Sequence, residues 1–505
     1  MPARGEASTG VSTVVVVGAG VGGLAVAARL ATSGHDVTVC EQAPEVGGKL
    51  GTHQRQTPVG AFRFDTGPSL LTLPQVFADL FRETGDPIES VLELCQVEPI
   101  VRYRFADGTR LDSTANPDLL HARLDAAFGS GAGRDWQQLT QRGERIWRAV
   151  RGPFLGSTVN GLADLARQAV RVRDLRAIAP GRTLRQIGGQ YLRDPRLRTL
   201  LERYATYTGS DPRRAPATLA VVPYVEQAFG GWYVRGGLHR LAEALTDRVV
   251  ARGGAVRTGT DVVRIDTAGG RVSGVRLADG GRLPADLVVA NADARHVYRD
   301  LLPQPRLLRR VRRAAPSLSG FVMLLGVRGR TPGLAHHNVL FADVYDPEFD
   351  AVFGNPAAPV ADPAIYISCP DDPAVRPDGH EAWFVLVNAP RHGRGPGAVD
   401  WDSPELAGSY AGRLLGLLAR RGLPVTDRLL FSEVITPADL ARRTRAPGGA
   451  IYGTSANGAR AAFLRPANRS PVPGLFLVGG SAHPGGGLPL VALSAQIVAG
   501  LIGPA

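Results

Sequence analysis

Residues Val14 to Lys49 read VVVVGAGVGGLAVAARLATSGHDVTVCEQAPEVGGK, and this stretch decides the fold of the 505-residue chain. Its four successive valines predict a short buried strand, and the segment from Leu24 to Ser33 predicts a helix that follows it. Between the two, Gly18, Gly20 and Gly23 fall at the spacing G-x-G-x-x-G. The first glycine permits a tight turn, the second lets the backbone approach a pyrophosphate, and the third lets the helix pack closely on the strand. The pattern predicts a Rossmann-type dinucleotide site with the pyrophosphate at the helix N-terminus.

An acidic residue at the end of the next strand indicates which nucleotide binds. Val37 to Cys40 predicts that strand, and Glu41 follows it, 23 residues after Gly18. A carboxylate there accepts hydrogen bonds from both ribose hydroxyls and repels a 2′-phosphate. The chain continues with Gly47-Gly48-Lys49 and with the sequence FDTGPS at Phe64 to Ser69. This pair of features looks like the large FAD superfamily of glutathione reductases and amine oxidases, so we expect FAD rather than NAD.

The composition is that of a globular protein. With 44% apolar residues, a chain of this length allows about three domain-sized modules. Met1 to Ser12 carries no apolar signal segment, and no stretch reaches the roughly 18 uninterrupted apolar residues of a spanning helix. Cys40, Cys95 and Cys369 lie far apart and form no C-x-x-C motif, which supports neither a disulfide nor a metal site. We therefore expect a cytoplasmic protein without a bound metal.

The net charge of +12 is concentrated in one region. From Arg142 to Arg203 there are fourteen arginines and five acids, so this stretch supplies nine of the twelve net charges. Nucleic acid is disfavoured as a partner, because no recognition motif and no interleaved aromatic platform accompany the charge. An anionic membrane surface fits better, and a solvated face of an ordinary lid helix is the alternative. One helical face carries Leu162, Leu165, Ala166, Ala169 and Val172, and the opposite face carries Asp164, Arg167, Gln168 and Arg171.

The rest of the chain predicts an α/β protein with a discontinuous domain plan. We interpret residues 12–75, 235–295 and 450–505 as a Rossmann-type FAD-binding domain, and residues 76–115 with 296–449 as a mixed α+β substrate domain. Residues 116–234 are interpreted as a helical, basic lid region that faces the membrane. Predicted elements include helices at Pro74, after Gly236-Gly237-Leu238 and from about Leu490, a hairpin turning at Asp107-Gly108, and strands at Val262–Ile265, Leu287–Ala290, Phe321–Val327, Ile365–Ser368, Trp383–Asn388 and Leu475–Val478. Residues 343–363 and 371–377 show no clear period.

Three motifs together carry a family resemblance: FDTGPS at Phe64 to Ser69, AHHN at Ala335 to Asn338, and GGSAHPGGG at Gly479 to Gly487. With the fingerprint, they make the chain resemble bacterial-type phytoene desaturases and related carotenoid oxidoreductases over nearly its whole length. The resemblance implies that FAD takes a hydride from a long apolar polyisoprenoid, that a proton leaves the neighbouring carbon, and that oxygen or a quinone accepts the electrons. It also implies cofactor contacts from Ala19, Gly22, Gly48, Lys49, Gly67, Pro68, Ser69, Val263, Gly479, Gly480, His483, Pro484, Gly486 and Gly487, in addition to Gly18, Gly20, Gly23 and Glu41.

The base that takes the proton is not specified by any spacing. His336, His337 and His483 are candidates by residue type, and each is equally compatible with a packing or backbone-bonding role. His239, beside the Gly236-Gly237 turn, is given no role.

Two other classes of function compete with desaturation. A carotenoid oxygenase or ketolase, or an amine-oxidase-like enzyme, shares these motifs. Rab-escort and GDP-dissociation-inhibitor proteins resemble the fold and bind lipids without FAD. The intact Gly18, Gly20, Gly23 and Glu41 argue against this last class.

Overall fold

The computed structural model describes residues 10–157, 176–458 and 461–505, and its first layer is the sheet that contains the fingerprint. Five strands pair in parallel, in the order β21-β13-β1-β2-β9. Their bounds are β1 Thr13–Val17, β2 Asp36–Cys40, β9 Ala255–Arg257, β13 Leu287–Ala290 and β21 Leu475–Leu477. Helices or strands cover both faces of this sheet, which is why its strands read as continuous apolar runs.

Four helices pack together on one face of this sheet: α1 Val21–Thr32, α2 Pro74–Thr84, α8 Arg240–Ala251 and α15 Leu488–Ile502. Helix α1 begins three residues earlier than the apolar pattern predicts, because Gly22 and Gly23 form part of its first turn. Helix α15 begins at Leu488, two residues before the predicted start near Leu490. Phe77, Leu80 and Phe81 of α2 join this nucleotide-domain core, as do Leu92 and Val97. This packing differs from the sequence interpretation, which assigns residues from 76 onward to the substrate domain.

The opposite face carries a small antiparallel sheet and two short helices. The strands are β10 Val262–Ala268, β11 Arg271–Leu277 and β12 Arg282–Pro284, and the helices are α9 Ala294–His296 and α10 Pro305–Val311.

The second large layer is a seven-stranded sheet in the order β20-β14-β17-β16-β15-β6-β7. Its strands are β6 Arg102–Arg104, β7 Arg110–Asp112, β14 Ser319–Arg328, β15 His337–Leu340, β16 Ile365–Ser368, β17 His380–Ala389 and β20 Leu429–Ile435. Helix α12, Pro404–Arg420, packs against it through Tyr410, Leu414 and Leu418. The hairpin of β3 Thr52–Thr57 and β4 Gly60–Asp65 places Phe62 and Phe64 on it.

Helices from the middle of the chain form a third layer, with its own apolar core. They are α3 Pro117–Phe128, α4 Ala132–Val150, α5 Leu184–Tyr191, α6 Pro195–Thr206 and α7 Val221–Phe229. Tyr103 of β6 and Phe341, the residue after β15, share that core, so the helices are anchored on the second sheet. The amphipathic pattern from Leu162 to Val172 lies outside the described residues.

One helix lies where the sequence shows no period. Helix α11, Asp346–Phe353, falls within residues 343–363. Its first residue, Asp346, forms an ion pair with Arg185 of α5. This contact joins positions far apart in sequence, which explains why a local pattern does not show it. The remaining elements are β5 Leu94–Gln96, β8 Trp232–Val234, β18 Arg391–His392, β19 Ala398–Val399, α13 Pro437–Thr444, α14 Ala461–Leu464 and the helical turns Ile88–Ser90, Arg151–Leu155, Ala217–Ala220, Val297–Leu301, Thr426–Arg428 and Pro447–Gly449. Among the described residues, no helix has the length and apolar character needed to cross a bilayer.

Candidate functional site

One cavity of about 1270 Å³ lies where the two sheets and the helical layer meet. Ordinary small-molecule sites enclose roughly 300–1,000 Å³. The cavity is lined at one end by the fingerprint and at the other by apolar side chains of α4 and α7, including Trp147, Val150, Val222 and Val225. It therefore has room for a dinucleotide and for a second, apolar molecule beside it.

The fingerprint forms the wall of the dinucleotide end. Gly18 has φ +97°, a conformation that favours glycine, and a Cβ on Gly23 would lie 2.1 Å from the Gly18 carbonyl oxygen. Gly18, Gly20 and Gly22 line the cavity, whereas Ala19 and Gly23 lie behind them. The first-turn amides of α1 have no acceptor within the helix, so the turn presents donors to an anion in the cavity.

Asn291, which directly follows β13, fills the space between the fingerprint and the C-terminal motif. Its Nδ2 donates to the Gly18 carbonyl at 3.2 Å. A Cβ on Gly20 or Gly22 would lie 2.8 Å from its side chain, and a Cβ on Gly479 would lie 2.4 Å from its Oδ1. The glycines on both sides are therefore required by one amide side chain, and sequence spacing gave Asn291 no role.

Glu41 is held by two backbone amides, one from the loop after β1 and one from the loop after β2. Its Oε2 accepts from the Ala19 amide at 2.7 Å and its Oε1 accepts from the Ala43 amide at 2.9 Å. The residue is 7% exposed and lines the cavity. Each carboxylate oxygen has a second acceptor position, so the group can still receive hydrogen bonds from a ligand's hydroxyls.

Lys49, the single lysine among 58 basic residues, projects into the cavity with protein around it. Its Nζ donates to the carbonyls of Ala450 and Ile451 at 2.9 and 3.0 Å. Burial in the protein lowers its pKa to about 8, Asp293 opposes that shift, and Arg465 adds to it. Burial also lowers the pKa of Arg465 to about 10. Two cations thus face the cavity, and the carboxylate of Asp293 acts on both of them. The surplus of positive charge suits an anionic ligand.

The C-terminal motif forms the part of the cavity wall that adjoins the fingerprint. Gly480, Pro484, Gly486 and Gly487 line it, and helix α15 begins immediately afterwards with its N-terminal turn on the cavity wall. Gly479 and His483 lie behind the wall. The His483 Nε2 donates to the carbonyls of Phe154 and Ser157 at 2.8 and 3.1 Å, an arrangement that ties the motif to the helical layer.

The remaining histidine candidates also lie outside the cavity. His337 is buried, and burial lowers its pKa well below the usual value, while the pKa of His336 falls to about 4. His337 Nδ1 lies 2.7 Å from the Tyr366 hydroxyl, which in turn lies 2.6 Å from the Ser69 hydroxyl. Tyr366 and Ser69 line the cavity, so His337 acts on it only through Tyr366.

Of the other residues predicted to contact the cofactor, some line the cavity and one does not. Gly48, Gly67 and Pro68 line the cavity. The side chain of Val263 is 44% exposed to solvent, and its neighbour Val262 contributes to the wall instead.

Sequence reasoning missed two charged residues of the apolar end, Glu226 and Arg203. Glu226 is 2% exposed, and one of its oxygens accepts from the Tyr204 hydroxyl at 2.7 Å. Burial raises its pKa to about 7, and the bond from Tyr204 limits that rise. An acid beside Val222 and Val225 on an apolar helix face is a signal that could have revealed it. Arg203 gives no such signal among fourteen arginines.

Three residues with strained backbone also line the cavity. Leu73, Ala179 and Arg445 have φ of 50°, 48° and 52°, in the left-handed region that non-glycine residues seldom occupy. Such strain costs of order 1–3 kcal/mol per residue and collects at functional sites. Its location supports this cavity as the functional site.

Comparison with known proteins agrees with the geometry. Residues 21–393 match the family model of flavin-containing amine oxidoreductases. The 4,4'-diapolycopene oxygenase of Methylomonas sp. is 34% identical over 493 residues, which cover 96% of this chain and 97% of that protein. The hydroxyneurosporene desaturase of Cereibacter sphaeroides is 36% identical over 496 residues, 96% of each chain.

Among solved structures, putrescine oxidase with bound putrescine superposes with a TM-score of 0.63 at 15% identity, over 97% of this chain and 99% of that one. This likeness confirms the mixed α/β fold. The resemblance to carotenoid oxidoreductases and the expectation of FAD are likewise confirmed. The chain belongs to the carotenoid desaturases and oxygenases, a group of FAD-dependent oxidoreductases within the flavin-containing amine oxidoreductase family.

Proposed function

We propose that the protein is a carotenoid desaturase that introduces conjugated double bonds by hydride transfer to FAD. One observation carries the proposal: a dinucleotide cradle and a long apolar compartment share a single cavity. An apolar substrate needs no ion pair for binding. The protein must instead orient the substrate, exclude water from the cavity and provide an entrance for it. The relatives named as carotenoid desaturase and oxygenase over nearly the whole chain support this substrate class.

The residues of the cavity fit FAD. Glu41 would accept from the ribose hydroxyls, the first turn of α1 would hold the pyrophosphate, and Lys49 would face the negative charge of the cofactor. The lack of side chains at Gly67, Gly486 and Gly487 leaves backbone free to approach the ring. Bound FAD supplies a two-electron acceptor for the hydride.

Desaturation breaks two carbon–hydrogen bonds on neighbouring carbons, and the protein must take the proton. The described lining residues include four carboxylates, of which Glu41 serves the adenosine end, Asp261 pairs with Arg445 at 2.7 Å, and Asp293 lies beside Lys49. Glu226 alone stands on the apolar wall. We assign the proton to its free oxygen, because a base titrating near neutral pH is well matched to that task. Dioxygen or a quinone would remove the electrons afterwards.

The proposal is tested by coexpression with a pathway that makes phytoene, followed by mass and absorption spectra of the pigments. Each added double bond removes two hydrogen atoms and shifts absorption to the red. Coloured products that retain the oxygen content of the substrate are expected. A product that incorporates labelled dioxygen would establish an oxygenase instead. Unchanged pigments with every acyclic carotene supplied would exclude both the desaturase and the oxygenase.

Glu41 is expected to govern FAD affinity. Glu41→Ala removes charge-assisted hydrogen bonds worth about 1.5–3 kcal/mol each, so the affinity should fall tenfold to a hundredfold or more. Titration of deflavinated protein with FAD, followed by fluorescence quenching, measures this. Glu45→Ala, an exposed acid on the same loop that lies outside the cavity lining, serves as the control. Equal affinities of the two variants would contradict the assignment.

Glu226→Gln should abolish the proton step while keeping an acceptor for Tyr204. The rate of anaerobic flavin reduction by substrate should rise with pH through about 7 in the wild type, because only the ionised carboxylate accepts a proton. The variant should be slower by roughly 10²–10⁴ and lack this rise. A variant with the wild-type rate and pH profile would exclude Glu226 as the acceptor.

Thermal unfolding provides the control for this variant. The raised pKa of Glu226 means that its contribution to stability is full below pH 4.5 and is lost as pH rises to about 7. Glutamine does not titrate. The unfolding free energy of the variant should therefore rise relative to that of the wild type across that window, by up to about 3 kcal/mol. This result would show that the variant folds and that Glu226 is the titrating group.

We also propose that the protein binds the surface of an anionic membrane beside the apolar end of the cavity. Phe154, Leu155 and Ile178 line that end, and Arg151 and Arg176 are exposed next to them. Carotenes dissolve in membranes, so an opening held against lipid would shorten their route into the cavity.

Sedimentation with vesicles tests the membrane proposal. Binding to phosphatidylglycerol vesicles should exceed binding to phosphatidylcholine vesicles and weaken with salt. Replacing Arg145, Arg151 and Arg176 by Gln should lower the affinity about a hundredfold, at about 1 kcal/mol per charge. Replacing the exposed Arg309, Arg310 and Arg313 by Gln makes the same charge change elsewhere and should have little effect. Equal losses in both triple variants would point to overall charge alone.

A further inference from the structure

A row of hydrogen-bonding side chains leads from the cavity into the second sheet, and the proposed chemistry does not use it. The Ser69 hydroxyl lies 2.6 Å from the Tyr366 hydroxyl, which lies 2.7 Å from His337 Nδ1. Ser69 and Tyr366 line the cavity, whereas His337 is fully buried behind them. Tyr366 and His337 stand on the paired strands β16 and β15, so the sheet holds the row in one geometry.

The row ends at His336, which is partly exposed to solvent. The ring centroids of His336 and His337 lie 4.3 Å apart, close enough for a proton to pass between the two imidazoles after a small side-chain rotation. The ring of Tyr233 packs edge-on against His336, and the carboxylates of Asp371 and Asp372 act on it electrostatically. Side chains with exchangeable protons thus extend from the cavity wall to a partly exposed imidazole.

Both imidazoles of the row are neutral at neutral pH. Burial lowers the pKa of His336 to about 4, against the opposing effect of Asp372 and Asp371, and it lowers the pKa of His337 well below the usual value. A neutral imidazole has one N–H and one lone pair, and a hydroxyl both donates and accepts. Each member of the row is therefore able to accept a proton on one side while it releases one on the other.

Unpartnered nitrogens distinguish these two histidines from structural ones. Within the described part of the chain, the Nε2 atoms of His336 and His337 are buried and have no hydrogen-bond partner. Leaving such a group unpaired costs about 1–3 kcal/mol. The next residue, Asn338, is used structurally, because its Oδ1 accepts from the Ala335 amide at 2.9 Å and its Nδ2 donates to the Ala335 carbonyl at 2.7 Å. The free nitrogens favour a role in which the imidazoles take up and release protons.

The redox end of the cavity needs a proton in the second half of the reaction. Glu226 takes the substrate proton at the apolar end, whereas a quinone or dioxygen that receives the hydride also needs one proton. Ser69 belongs to the same motif as Gly67 and Pro68, which line the cavity where the backbone is free to approach the ring. Because an apolar occupant expels water from the compartment, this proton needs a path through protein groups.

We propose that His336, His337, Tyr366 and Ser69 form a proton path that serves the reoxidation of the flavin. Ser69 gives its hydroxyl proton to the electron acceptor, Tyr366 replaces it, His337 replaces the proton of Tyr366, and a solvent proton enters at His336. With the hydride and this one proton, a quinone becomes a hydroquinone and dioxygen becomes hydrogen peroxide. The proposal rests on the proposed function, in which a hydride reaches FAD, and it names the route of the second proton.

The test isolates the oxidative half of the reaction and needs no carotenoid. The holoenzyme is photoreduced anaerobically and mixed with menadione, and the return of flavin absorption gives the rate of reoxidation. We expect the wild type to react more slowly in heavy water than in ordinary water. Tyr366→Phe removes only the central hydroxyl of the path and should slow reoxidation roughly a hundredfold. Anaerobic flavin reduction by the carotenoid should keep the wild-type rate in this variant.

Tyr410→Phe is the matched control. It removes a buried phenol outside the cavity lining, whose hydroxyl donates to the Val360 carbonyl at 3.0 Å, and it should reoxidise at the wild-type rate. His336→Ala should be slow, as Tyr366→Phe is. Added imidazole should restore much of its rate, because the partial exposure of His336 gives a small molecule access to that position. Free imidazole would not replace a histidine that serves packing alone.

A second readout does not depend on turnover. Nitrogen NMR spectra of the oxidised holoenzyme with isotope-labelled histidine show which ring nitrogen carries the proton, and His337→Gln identifies the resonances of His337. A working path requires His337 to exchange between its two neutral tautomers, so its nitrogens should give averaged resonances. In Tyr366→Phe, where Nδ1 has lost its partner, the averaging should cease. One fixed tautomer in the wild type would contradict the proposal.

Two kinetic results would also overturn the proposal. Wild-type reoxidation in Tyr366→Phe would exclude the path. An equal slowing of reoxidation and of flavin reduction by the carotenoid in that variant would show that Tyr366 positions the cofactor or the substrate and transfers no proton. Failure of every carotenoid to reduce the flavin of the wild type is a different result, which would refute the proposed function and leave the measurements with menadione unaffected.

Discussion

The contact of Asn291 with the glycines around it is the constraint on which the rest of the site depends. One amide side chain lies between the fingerprint at Gly18 to Gly23 and the C-terminal motif at Gly479, and it donates to the Gly18 carbonyl. Because β13 pairs in parallel with β1 on one side and with β21 on the other, the register of the sheet delivers all three segments to the same edge. Parallel strands end together, so a dinucleotide cradle forms there from distant parts of the chain.

Much of the fold could be predicted because its strongest features are local. The valine run, the glycine spacing and Glu41 form one continuous unit, and the observed β1, α1 and β2 correspond to it within a few residues. The predictions that failed concern contacts between residues that are far apart in the sequence. Helix α2 was separated from the nucleotide domain because its period shows only that one face is buried, and not which core buries it. Helix α11 was missed because Arg185, which pairs with its first residue, lies more than 150 positions away.

The residues of the site also differ in whether a local sequence pattern reveals them. The cavity-lining positions Gly18, Gly20 and Glu41 could be predicted from the sequence because dinucleotide binding imposes a fixed spacing, and their contact with the cofactor stays a prediction. Asn291, Tyr366 and Glu226 come from three separate elements, and no spacing links them. The histidines illustrate the converse: residue type alone suggested His337 and His483, whereas the structure gives His483 to two backbone carbonyls and separates His337 from the cavity by one phenol. Chemistry that depends on burial is visible only when the packing is known.

The position of β21 and α15 in the sequence has a consequence for biosynthesis. These elements follow the fingerprint by more than 400 residues, yet β21 completes the sheet and α15 packs on α1. For most of translation, the N-terminal strands of a nascent chain lack β21 and α15, which pack on them in the folded protein. Their apolar surface therefore stays exposed, or is bound by chaperones, until the C-terminal segment has been synthesised. The parallel sheet and the helices that cover it are therefore complete only after these last elements have been synthesised.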